Sequence, residues 1–290
     1  MELSITLGSY MISQVATTYV AAVNTNGQSP TQKKLDVLYN EIAKDLKNGK
    51  PLVISDTVVL WEEGRSVWWG DGENPERNLY WGAKYGLYTM LKQSHEWKEV
   101  YRQGPNDNGE ITSVVFERDC PTNNFWRSKG VLKPFKTYLV IKAFKASDIN
   151  KAYELTAKNI FTGNPDQIKL PNGQIIEAGG KSHLIIHSGH MISEGNLPLE
   201  QHKSQLSPTK TKGVAFLTCL SKSVFSGNID KPDVVGLLYT NNLFAPEGYT
   251  HLPFYDSIIN GDTAKNIIDN NNRKYKFFHK SSFGMFSNED

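Results

Sequence analysis

Two short segments hold the residue types that nucleophilic chemistry needs. His187-Ser188-Gly189-His190 and Thr218-Cys219-Leu220-Ser221 each sit at the end of a run of apolar and β-branched residues, SHLIIH in the first case and VAFLTC in the second. A thiol attacks as its thiolate, and an imidazole within hydrogen-bonding reach can draw off that proton and later give one to the leaving group. Cys219 with a histidine would meet both requirements. His190 lies past its strand, after a glycine, where a side chain can turn toward a neighbouring tip. It is therefore preferred to His187, which ends an apolar strand and can point into a packed layer. His183 begins that strand, at the opposite edge of the sheet, and is set aside. The plainer alternative is that Cys219 is a small buried apolar residue and the histidines are hydrogen-bonded loop residues.

These segments must be positioned by the elements around them. Apolar residues at helical spacing predict a helix over 35–46, stopped by Lys47-Asn48-Gly49. A β-branched strand over 51–60 follows, then a loop, then a helix over 79–93 with Asn78 as its N-cap. A strand over 137–144 leads to a helix capped by Asp148 and running to about residue 160. Three more strands are expected over 182–187, 214–219 and 234–240. Near-continuous apolar strands alternating with helices are the pattern of parallel strands buried on both faces. The expected fold is a three-layer α/β sandwich with a mostly parallel central sheet, occupying residues 31–270 between an N-terminal extension (1–30) and a polar C-terminal tail (271–290). In such sheets ligands collect beyond the carboxyl ends of the strands.

Two further segments fall at those ends. After the first strand, Trp61, Trp68, Trp69, Tyr80, Trp81, Tyr85 and Tyr88 crowd around Arg65, Asp71, Glu73 and Arg77. Aromatic contact area with a few charges is what a recognition pocket offers, so Arg65, Trp69 and Asp71 are candidate substrate-binding residues. The competing reading is core packing for Trp81, Tyr85 and Tyr88, which share one face at helical spacing, and a turn for Asp71-Gly72. After the fifth strand, Phe244-Ala245-Pro246-Glu247-Gly248-Tyr249-Thr250 either rims the same site, with Glu247 as a binding residue, or starts a helix with Pro246 in its first turn.

Order adds a resemblance. Counted from 52, the strands place a histidine after the third and a cysteine after the fourth, which resembles the caspase-like cysteine proteases, a family that includes gingipains and legumains. That resemblance implies a caspase-like topology over about residues 50–260, cysteine-dependent peptide-bond hydrolysis, Cys219 as nucleophile, and His190 or His187 as general base and acid. Gly70-Asp71-Gly72-Glu73-Asn74-Pro75 with Asn78-Leu79-Tyr80-Trp81-Gly82-Ala83 also resembles a motif of an uncharacterised bacterial protein family, which implies no function. A binding module on the same scaffold, holding a peptide or small ligand without cleaving it, is the alternative.

Composition narrows the partners. In 290 residues, 32 Lys and Arg stand against 30 Asp and Glu, for a formal net charge of +2 without long like-charge runs. No basic patch for nucleic acid follows from that. Apolar runs reach strand length and stop short of a membrane span, so a membrane is not expected; a peptide or protein substrate is what the caspase-like resemblance implies. GxGxxG after a strand, GxxxxGK[ST], HExxH and GxSxG are all missing, which leaves no expected cofactor or metal. Two cysteines without zinc spacing fit a reducing, cytoplasmic compartment. The mildly apolar stretch 11–23 is a faint signal-peptide pattern that lacks a basic flank, so export is the minor alternative.

Overall fold

The computed structural model describes residues 28–61, 70–191, 202, 210–229, 231–280 and 284–290. Helix α1 (Pro30–Lys47) starts at Ser29, whose hydroxyl accepts the Gln32 N–H at 3.2 Å, with Pro30 at the first helical position. It buries Leu35, Leu38, Tyr39, Ile42 and Leu46, the stripe that the sequence spacing predicts. Strand β1 (Leu52–Val59) follows and is buried along its whole length, as a strand covered on both faces must be.

Eight strands form one sheet: β1, β2 (Lys98–Gln103), β3 (Glu110–Cys120), β4 (Phe135–Phe144), β7 (Leu184–Gly189), β8 (Lys212–Leu217), β9 (Val234–Thr240) and β10 (Phe286–Ser287). Their spatial order is β10-β9-β8-β7-β1-β4-β3-β2. The five inner strands are parallel, while β10, β3 and β2 add antiparallel edges. A separate hairpin pairs β5 (Pro165–Lys169) with β6 (Ile175–Gly179). The expected mostly parallel α/β sandwich is the observed architecture.

Side-chain alternation divides the core into layers. Ile54, Leu139, Ile186, Ala215 and Leu237 point to one face, against α1, α2 (Leu87–Gln93), α3 (Asn124–Ser128), α6 (Gly248–Asn260) and α7 (Ala264–His279). Ile185, Val214 and Phe216 point to the other, against α4 (Ile149–Phe161) and α5 (Ser221–Phe225). There Val53, Tyr138 and Val140 pack under the β5–β6 hairpin. From β1 the chain reaches β4 on one side and then returns to β7 on the other, so the sheet reverses direction at β1 and β7. That reversal is where the ends of neighbouring strands open a crevice.

Two expected boundaries move. Residues 79–86 are turns and not helix, because the Asn78 side chain organises them: its Nδ2 donates to Trp61 O at 2.9 Å and to Asp71 O at 3.2 Å, and its Oδ1 accepts the Tyr80 N–H at 3.1 Å. Gly86 passes so close to Trp81 that a Cβ there would lie 2.2 Å from its carbonyl oxygen. The C-terminal boundary at 270 is also displaced. Helix α7 runs through it and buries Ile267, Asn271 and Tyr275, and Phe286 of β10 pairs with Thr240 of β9. Residues 271–280 and 284–290 therefore belong to the packed domain. Asparagines and lysines between the apolar positions gave this helix the composition of a tail.

Candidate functional site

Cys219 lies where β8 gives way to α5. Past Leu217 the chain turns through Thr218, Cys219 and Leu220, and Ser221 opens the helix. Leu220 sits in the left-handed region at φ 52°, one of two non-glycine residues to do so among the described residues. That conformation costs on the order of 1 kcal/mol or more for a side chain of this kind and persists only where neighbours impose it. Here Leu220 N–H donates to Asn242 O at 2.9 Å, Ser221 Oγ donates to Phe216 O at 2.6 Å, and Ser221 Oγ receives the Thr240 N–H at 2.8 Å. The turn is tied to β8 and to the far end of β9 at once, which holds Cys219 half-buried at the tip. Its Sγ receives the Phe244 N–H at 3.3 Å and lies 3.4 Å from the Phe244 carbonyl oxygen, to which the thiol can donate. Burial pushes the thiol pKa up.

The β7–β8 register brings His190 to the neighbouring tip. The last ladder pair is Ser188↔Leu217, and two residues further the strands reach His190 and Cys219. Both then fall on the face that packs α1, α6 and α7. Cys219 bonds to Phe244 of that core cluster, and His190 meets the Trp61 ring edge-on at 4.9 Å, Trp61 itself packing against the cluster. Gly189 makes this crossing at φ 112°, with its Cα side so close to β1 that a Cβ would lie 2.0 Å from the Val59 carbonyl oxygen. His190 is held neutral by burial, and its Nδ1 is buried without a hydrogen-bond partner. The sulfur's own hydrogen-bond partner is the Phe244 backbone and not an imidazole.

His187 is on the other side of the sheet. Its Nδ1 lies 2.8 Å from Thr156 Oγ1, whose proton is directed to Ala152 O, so Nδ1 carries the hydrogen and Nε2 is left bare. Tyr153 packs on the ring at 3.9 Å, and burial in this apolar layer pushes the pKa down to about 3. The sheet thus separates His187 from Cys219, and His187 is a packing residue of the opposite layer.

Of the other candidates, Arg65 and Trp69 lie outside the described residues. Asp71 is an exposed turn residue: its Oδ1 accepts the Glu73 N–H at 2.9 Å, and the turn docks on the end of β4 through Ala146 N–H to Gly72 O at 3.4 Å. The Asp71 backbone carbonyl is tied through Asn78 Nδ2 to Trp61, the ring that meets His190. Tyr80 and Trp81 are buried, and Trp81 stacks on Tyr88 at 5.6 Å, so the aromatic run serves the core.

Glu247 does join the tip. It follows β9, the strand on the other side of β8 from β7, and is the N-cap residue of α6. Its carboxyl is buried, and Tyr249 Oη bridges it to His279 Nε2 of α7 by close hydrogen bonds. Burial raises the Glu247 pKa to about 7 and lowers that of His279 to about 4. Tyr80 and Tyr275 each feel the charge of both Glu247 and Cys219, which places the four groups in one neighbourhood.

A second buried polar set lies under the first. Asp56, in the middle of β1, accepts Tyr255 Oη at 2.6 Å and Ser188 Oγ at 3.0 Å, and His251 Nε2 lies 3.6 Å away. Burial raises the carboxyl pKa, and His251 Nδ1 faces Glu247 O at 3.1 Å. An aspartate inside LVISDTVV and the alternating Glu247, Tyr249, His251 were the signals in the sequence; neither marks a partner until the fold does. Among the described residues no three His, Cys, Asp or Glu side chains group as a metal site, and no helix is long and apolar enough to cross a membrane. No known family, curated protein or solved structure matches the chain.

Proposed function

We propose that the protein is a cysteine-dependent hydrolase of peptide bonds on a caspase-like α/β scaffold, with Cys219 as nucleophile and His190 as the imidazole that meets the scissile amide. The observation that carries this reading is the β7–β8 register, which sets both residues on one face, two steps past Ser188↔Leu217. The strained turn at Leu220 supports it, since such conformations gather at reactive sites. In the reaction the Cys219 thiolate attacks the amide carbon, a C–S bond forms, and the amine leaves with a proton as the C–N bond breaks. Water then attacks the thioester, freeing the acid and returning the proton to sulfur.

The satisfied sulfur favours a rival, a binding module in which Cys219 is structural. A peptide library incubated with wild type and Cys219→Ala separates the two. The hydrolase loses turnover by about three orders of magnitude or more in the variant while keeping its fold. Iodoacetamide mapping adds a second check: Cys219 labels in the native protein, whereas Cys120, 1% exposed and 3.2 Å from Thr137 Oγ1, labels only after unfolding. Cleavage of no peptide by wild type, together with an inert Cys219, establishes the binding module instead.

A further inference from the structure

Helix α7 buries Ile267, Asn271 and Tyr275 on its inner side, and its outer side changes character along its length. In the first half Lys265 is paired with Asp269, one turn on. Past Asp269 the sequence holds no acidic residue until Glu289, and Arg273, Lys274, Lys276 and Lys280 all fall in that interval. The four are exposed, and none makes a salt bridge among the described residues. Phe277 stands in their midst, 76% exposed. Residues three and four apart share a helix face, so Arg273 and Lys274 lie beside its ring on one side, with Lys280 just beyond the helix end on the other. The next residue, Phe278, turns inward and stacks on Tyr249 at 4.1 Å, so this turn of the helix is packed in place while Phe277 projects from it.

Cations in the last turn of a helix complement its dipole, which accounts for part of the charge. It does not account for a bare aromatic ring at the centre, since that ring is hydrated without gaining any packing. Cations around a projecting apolar side chain are how an interfacial helix holds an anionic bilayer: the ring enters the headgroup boundary and the charges meet lipid phosphates. We propose that the outer face of α7, formed by Arg273, Lys274, Lys276, Phe277 and Lys280, docks the protein on a phospholipid surface rich in anionic headgroups.

Shape favours lipid over the other anionic partners. Small ligands and single-stranded nucleic acid are held in concave clefts and grooves, whereas a helix face turned to solvent is convex and meets a soft plane. Docking of this kind asks for no spanning helix, and none is present among the described residues. The formal net charge of +2 conceals the patch because the balancing acids lie elsewhere in the chain. This inference goes beyond the hydrolase reading and stands without it. The two meet at Tyr275 of the same helix, which packs at 5.9 Å on Phe244, whose backbone holds the Cys219 sulfur.

The test is flotation of the full chain with vesicles of phosphatidylcholine alone and with about one third phosphatidylglycerol, at low salt and at about 0.5 M salt. Wild type should float only with the anionic vesicles, and the higher salt should release it. The triple variant Arg273→Gln, Lys274→Gln, Lys276→Gln should partition about a hundredfold more weakly, at roughly fivefold for each charge. Phe277→Ser should lose about tenfold, and Phe277→Trp should keep wild-type binding, because an indole sits well at a membrane interface. Thermal melting confirms that these exposed substitutions leave the fold intact. Flotation needs no peptide substrate, so its outcome is independent of whether Cys219 is a nucleophile. Wild type that floats with neither vesicle, or equally with both, overturns the proposal, as does a triple variant within twofold of wild type. Binding of oligothymidylate or polyglutamate without flotation, lost in the same variants, also overturns it and assigns the face to nucleic acid or to an acidic peptide.

Discussion

Ser188 Oγ donates to Asp56 Oδ1 at 3.0 Å, linking β7 to β1 just before β7 crosses over at Gly189. The same carboxyl receives Tyr255 Oη from α6, whose first residues follow Glu247. One buried aspartate thereby anchors the strand that presents His190 and the helix that presents Glu247.

Replacing Asp56 with alanine leaves two buried hydroxyls without an acceptor and opens a small cavity. A loss of about 3 kcal/mol in unfolding free energy is expected, read as a lower urea midpoint with an unchanged slope. Asp56→Asn should cost about 1 kcal/mol, because the amide oxygen still accepts a hydroxyl and the amide nitrogen can donate to the bare His251 Nε2. An alanine variant as stable as wild type would remove the anchoring role.

Gly189→Ala should be worse than its size suggests. A Cβ 2.0 Å from the Val59 carbonyl oxygen cannot be accommodated without parting β7 from β1, and φ 112° is unfavourable for any side chain. A loss of more than about 2 kcal/mol, together with altered iodoacetamide reactivity at Cys219, is expected from thermal melting and peptide mapping. Serine at this position should behave the same way.

Glu247 makes stability fall as pH rises. Its folded pKa of about 7 exceeds the ordinary 4.5, so the folded protein binds the proton more tightly than the unfolded chain does. The stabilisation is complete below the unfolded value and is lost between about pH 4.5 and pH 7, an effect on the order of 3 kcal/mol. His279 and His187, lowered by burial, act in the opposite sense as pH falls, so the comparison must be made between proteins. Urea unfolding at pH 5 and pH 8 should show wild type losing stability relative to Glu247→Gln over that interval. Parallel pH curves for the two proteins would exclude a raised Glu247.

The parallel sheet was legible because each inner strand is an apolar, β-branched run bounded by breakers, a pattern that needs no tertiary information. Strand ordinals then put Cys219 and His190 on neighbouring tips, and the ladder offset carries both to one face. The sequence preferred His190 because it lies past its strand, while His187 ends an apolar run. Strand alternation does turn His187, with Ile185, into the opposite layer beside Tyr153. Helix α6 was half hidden by Pro253 within it, and α7 by its asparagines. The Glu247–Tyr249–His279 chain was illegible for another reason: Tyr249 and His279 meet only because α6 and α7 pack together, and no local spacing encodes a contact between two helices.

Phe244, whose backbone holds the sulfur, is itself wedged between Tyr275 at 5.9 Å and Phe286 at 5.5 Å. Both wedges belong to α7 and β10, which leave the ribosome after β8 and β9. A growing chain therefore completes its parallel sheet before it can seat the residue that steadies Cys219. Order of synthesis keeps the Phe244 side of this thiol environment unfinished until α7 and β10 dock on it.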